Sequence, residues 1–125
     1  MTLDSSPSNH PSTNLDAARH AIAQGNLPLA IALLTSYLTE QDASDDTGLF
    51  TAHSLRAQLL LATSDTMAAT DDIVWLQRLA PDAKESLLLA AQYEKQRGNK
   101  NESLRLFSRL FELYPELMTQ VSGNF

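Results

Sequence analysis

The chain has 125 residues, no cysteine and a net charge of -6, with 43% apolar and 19% charged residues. That length suits one ordinary domain, the apolar share excludes wholesale disorder, and the missing thiols exclude disulfide frameworks, thiolate metal sites and cysteine nucleophiles. Acidity argues against general nucleic-acid or anionic-membrane binding, and an uneven charge, -7 over residues 1–83 against +2 over 84–115, favours protein partners or self-association.

In chain order, residues 1–13 are rich in Ser, Thr and Pro with almost nothing apolar, and they read as a disordered tail. Asp4 stands where a signal peptide would carry lysines, and no apolar run approaches the ~18 residues of a membrane span. A soluble, cytoplasmic chain without membrane insertion is the expectation. A first helix is predicted from a Thr13 cap, with Leu15, Ala18 and Ile22 at helical spacing and Gly25 as its stop. Pro28 opens a second helix over 28–40. An acidic loop follows, then a third helix over 50–63 ended by Ser64, and a fourth over 66–80 with Thr66 as cap and Pro81 as stop. Asp82 caps a fifth helix reaching about residue 97. Gly98-Asn99 breaks it, and a sixth runs over 100–113. No segment alternates with period 2, so no strand is predicted and the fold class is all-α.

The six helices form three hairpins with an internal period. Ala91, Gly98, Ser103, Phe107, Leu110 and Pro115 shift down by 34 onto Ala57, Ser64, Ala69, Ile73, Leu76 and Pro81. A further shift of 39 reaches Ala18, Gly25, Ala30, Leu34, Tyr37 and Asp42. The pattern small, turn, small, large, apolar, Pro resembles the tetratricopeptide repeat (TPR), a 34-residue helix–turn–helix unit. The resemblance implies a right-handed α-α superhelix of three hairpins within residues 14–117, with repeats at about 11–44, 50–83 and 84–117. Residues 118–125 would remain as a short cap, with Leu117, Met118, Val121 and Phe125 apolar.

Catalytic patterns fail individually. His10, His20 and His53 lack ligand spacing, no G-x-S-x-G occurs, and Asp42, Asp45 and Asp46 lack the order of a calcium loop. No enzyme activity, cofactor or metal is expected. The TPR resemblance instead implies a groove lined by the first helix of each hairpin. Its contact residues would be Leu15, Arg19 and Ile22, then Ser54, Gln58 and Leu61, then Leu88, Gln92 and Lys95. Positions that clamp acidic chaperone tails in one TPR subtype hold Leu15, Arg19, Leu55, Glu85 and Leu89 here, which disfavours that ligand. By phase, Val74 and Trp75 face outward where the sister hairpins carry Thr35, Ser36, Ser108 and Arg109. Trp75 is therefore either a contact residue or a cover over the seam with a neighbouring hairpin.

These features predict a non-catalytic adaptor or chaperone holding a peptide or helix of another protein. In size and architecture the chain also resembles the small TPR chaperones of bacterial type III secretion, which implies a needle or translocator subunit as cargo. A regulatory domain acting on an enzyme in trans is the other reading. Weak homodimerisation, through opposed charges or through Trp75, is expected when the partner is absent.

Overall fold

The computed structural model describes residues 11–40 and 46–118. Among these residues the protein is all-helical: α1 (Pro11–Ala23), α2 (Leu27–Glu40), α3 (Asp46–Ala62), a one-turn 3-10 segment (Met67–Ala69), α4 (Thr70–Leu79), α5 (Lys84–Gln96) and α6 (Lys100–Leu113). The chain divides into two compact units, Met1–Leu59 and Leu60–Phe125, with the boundary inside α3.

The first unit is built on the α1–α2 hairpin. Its core joins Leu15, Ala18 and Ala21 of α1 to Ala30, Leu34 and Tyr37 of α2 and to Ala52 and Leu59 of α3. Ala18 and Ala30 are fully enclosed. Side chains no larger than a methyl let the two helices approach, and Leu34 fills the space beside them. The turn between them is made by the backbone. Gly25 takes φ +76°, its amide donates to the Ile22 carbonyl, and the Asn26 amide donates to that of Ala21. These two bonds satisfy carbonyls that the end of α1 would otherwise leave unpaired. Asn26 then caps α2, its side-chain oxygen accepting from the Leu29 amide at 3.3 Å, the usual reach from a cap to the third helical residue.

In the second unit α6 pairs with α5, and α5 with α4. Two buried serines sit at these contacts with their hydroxyls satisfied. Ser86 of α5 donates to the Leu76 carbonyl of α4 at 3.3 Å, and Ser103 of α6 donates to the Ala91 carbonyl of α5 at 2.9 Å. Such small residues keep the helix spacing short while avoiding the cost of an unpaired buried hydroxyl, about 1–3 kcal/mol. Gln96 ties the end of α5 to the end of α3, its amide donating to the Leu61 carbonyl at 2.9 Å and its oxygen accepting from the Thr66 hydroxyl.

Several boundaries differ from the sequence reading. Residues 11–13 belong to α1, so Thr13 lies inside the helix and is not its cap; Pro11, with φ already helical, opens it. The rest of the expected tail, residues 1–10, lies outside the described residues. Helix α3 starts at Asp46, four residues early, because an acid in the first turn favours the helix N-terminus; residues 41–45 of the acidic loop are outside the description. Thr66 makes no capping bond. Nor does Asp82 cap α5: the cap position is Ala83, in extended backbone. Asp82 turns instead to Arg109, with a 3.2 Å ion pair, and its carbonyl accepts from the Tyr114 hydroxyl at 2.7 Å.

Candidate functional site

The proposed 34-residue register can be followed through the backbone. Gly25, Ser64 and Gly98 all have left-handed φ, at +76°, +63° and +86°. Each turn carries the same two bonds: Ser64 to Leu61 and Asp65 to Leu60 match Gly98 to Lys95 and Asn99 to Glu94. The far ends of α4 and α6 match as well. Ala80 (φ -143°, ψ 68°) and Tyr114 (φ -131°, ψ 69°) each precede a proline, and each amide closes onto the carbonyl four residues back. The residue before proline is driven out of the helical region, so the helix ends there. Side-chain burial keeps the same phase. Ala18, Ala57 and Ala91 are fully enclosed, as are Ala30 and Ala69, and Ser103 is nearly so.

This register sorts the nine residues expected along the first helices of the hairpins. Arg19, Gln58 and Gln92, each directly after the enclosed alanine, are all exposed. Leu15, Ser54 and Leu88, three residues before that alanine, share its stripe at helical spacing. Leu15 and Ser54 are accordingly buried, and Leu88 is half-buried. One turn beyond the alanine, Ile22 is half-buried against the first unit's core, Leu61 is 4% exposed and Lys95 is exposed. The assignment of Leu15, Ser54 and Leu61 as contact surface is therefore corrected: Leu15 packs in the first unit's core, and Ser54 and Leu61 are 8% and 4% exposed, whereas the charged Lys95, in the position of Leu61, stays outside. Ser54 has one further feature. Its hydroxyl is buried with no hydrogen-bond partner, at the position where the sister repeats carry Leu15 and Leu88.

Away from those first helices, Trp75 on α4 is half-buried, while Met67, Val74 and Leu79 expose 71%, 40% and 49% of their surface. Asp72 drew no notice in the sequence, yet it is fully enclosed. Its signal was helical phase, since it lies four residues before Leu76 and three after Ala69. It also occupies the first turn of α4, where the helix N-terminus favours a negative charge.

A hollow among α4, α5 and α6 is lined by Gln77, Asp82, Ser86, Arg105 and Arg109. Its guanidiniums are already engaged. Arg105 donates to both oxygens of Glu102, which holds the Glu102 carboxyl below its ordinary range. Arg109 bonds Asp82 first and Glu112 second, and both raise its already high pKa. Both guanidiniums beside the hollow are therefore already paired, Arg105 with one carboxylate and Arg109 with two. Among the described residues no cluster of three His, Cys, Asp or Glu could hold a metal ion, and no helix is long and apolar enough to cross a membrane. Comparison with protein-family models, curated proteins and solved structures gives no match.

Proposed function

We propose that the chain is a non-catalytic protein-binding module, a TPR-like array of three hairpins whose first helices hold a segment of a partner protein. The observation that carries this reading is the thrice-repeated turn: left-handed residues 39 and 34 positions apart, each with the same pair of backbone bonds. Repeats of that kind present one equivalent surface residue per unit. Here those residues are Arg19, Gln58 and Gln92, a cation and two amides, all exposed. Such side chains suit the carbonyls and amides of an extended or helical segment, and Leu88 and Ile22 supply apolar contact beside them.

The test begins with the partner captured from native extract by the full chain. Arg19→Glu combined with Gln58→Ala and Gln92→Ala should weaken that complex by about tenfold or more, with the circular dichroism spectrum unchanged because all three side chains lie at the surface. Unchanged affinity would remove the first helices from the binding role.

A further inference from the structure

The outward side of α4 carries two opposite charges that find no counter-ion among the described residues. Ala69, Asp72, Ile73 and Leu76 are all buried and mark the inner side of the helix. At about 100° per residue, Asp71, Val74 and Arg78 fall together on the opposite side. Asp71 and Arg78 are exposed, Val74 is 40% exposed, and Met67, one turn before Asp71, is 71% exposed. Among the described residues, neither Asp71 nor Arg78 takes part in a salt bridge or a side-chain hydrogen bond. They do not meet each other either. Seven residues of helix set them about 10 Å apart along the axis, beyond the three- and four-residue spacing at which side chains touch. The places 34 residues later hold Arg105, Ser108 and Glu112. Both charges there are engaged, Arg105 by Glu102 and Glu112 by Arg109. Of the two helices, α4 alone presents an unmatched acid and base with an apolar residue between them.

We propose that this face of α4 docks the same face of a second copy of the chain, the two helices antiparallel across a twofold axis beside Val74. Charge complementarity selects that occupant. The midpoint between Asp71 and Arg78 falls next to Val74, so a twofold axis there brings Asp71 of each copy opposite Arg78 of the other. Such a contact is self-complementary and closes at two copies. Both ion pairs form together, with the Val74 side chains of the two copies between them. A parallel arrangement would set Asp71 against Asp71 and Arg78 against Arg78, which repel. Docking on α6 of a second copy would meet Ser108 at the centre, flanked by charges that are already paired. The contact spans little more than one ten-residue helix, short of the ~1,200 Å² of a stable interface. The dimer is therefore weak and reversible.

The inference goes beyond the proposed function and uses none of Arg19, Gln58 and Gln92. Sedimentation equilibrium of the full chain tests it, in about 0.15 M salt, where charges farther apart than ~8 Å are screened. Wild type should show a reversible monomer–dimer equilibrium as loading rises to about 1 mM, a range suited to so small a contact. Asp71→Arg and Arg78→Asp should each weaken association by about tenfold or more, since each sets like charges opposite one another. Mixed in equal amounts, the two variants should pair with each other about as tightly as wild type, because the mixture restores opposite charges at both positions. Val74→Glu leaves the charged ends of α4 unaltered and should weaken association by about tenfold or more, placing two carboxylates beside the axis. A wild type that stays monomeric throughout that range would overturn the proposal. So would a dimer indifferent to Val74→Glu, which decides alone if the charge variants lose helical circular dichroism. Charge variants that keep that signal yet do not pair when mixed would overturn it too, because some other surface would then meet Asp71 and Arg78.

Discussion

The turn that closes α3 and the turn that closes α5 share one backbone and differ in the residue that bears its strain. Ser64 sits at φ +63° and Gly98 at +86°. The bonds around them correspond, 3.1 and 2.7 Å in the first turn and 3.1 and 2.9 Å in the second. A Cβ built on Gly98 meets nothing within 4 Å. Glycine is thus preferred there for its torsion and not for space, and a side chain is tolerated at a graded cost. A non-glycine residue in the left-handed region costs roughly 1–2 kcal/mol, which the middle hairpin bears and the last one avoids. The repeat is conserved within this chain as geometry first and as residue identity second.

The largest effect that bears on this equivalence lies in the core. Leu76 and Leu110 are 34 residues apart and 0% and 1% exposed. Truncating either to alanine should cost about 2–5 kcal/mol, and equivalent hairpins should give losses within about 1 kcal/mol of each other. Urea denaturation of Leu76→Ala and Leu110→Ala measures both. A gap of several kcal/mol would break the equivalence of the two sites despite their matching backbones.

Next in size is the turn itself, where the two hairpins should respond with opposite signs. Gly98→Ala should destabilise by about 1 kcal/mol, because alanine must adopt the left-handed torsion. Ser64→Gly should stabilise by up to about 1 kcal/mol, offset in part by the greater freedom of glycine in the unfolded chain. Thermal melts of the two variants decide the matter. Loss of stability in Ser64→Gly would mean that the serine side chain contributes more than its torsion costs.

The turn positions were legible because a left-handed break is local, written in Gly25, Gly98 and a small polar residue in phase with them. The span of α6 was legible for a similar reason, with a glycine before it and a proline after it. The caps were not. Thr66 and Asp82 carry suitable side chains, but Gln96 and Arg109 engage them more favourably, and both partners are about thirty residues away in sequence. The start of α3 was hidden because Asp46, Thr47 and Gly48 read singly as loop residues. For the candidate surface, helical spacing identified Arg19, Gln58 and Gln92 as exposed. It misjudged Leu15 and Leu61, since residues at the edge of an apolar stripe are buried or exposed by what packs beside them, and that is set by tertiary structure.

The smallest expected effect separates the two hairpins by charge. Glu102 pairs with Arg105 in α6 at 2.9 Å, whereas the positions 34 residues earlier hold Ala68 and Asp71 and carry no such pair. The hydrogen bond from Arg105 lowers the Glu102 pKa, so the ionised carboxylate is favoured in the folded state. The stability it adds is fully present above the unfolded carboxylate value, about pH 4.3, and is lost as pH falls through the lower folded value. Both side chains are well exposed, 65% for Arg105 and 40% for Glu102, so solvent screening limits the gain to a few tenths of a kcal/mol. Subtracting the stability of Glu102→Gln from that of wild type cancels the other carboxylates. That difference should be positive at pH 6, fall as pH drops below about 4.3, and fall only in part at pH 6 in 1 M salt, where the Debye length of about 3 Å matches the separation of the pair. If it persists at pH 3, the side chain of Glu102 stabilises α6 by packing, and the charge contrast between the hairpins plays no part in stability.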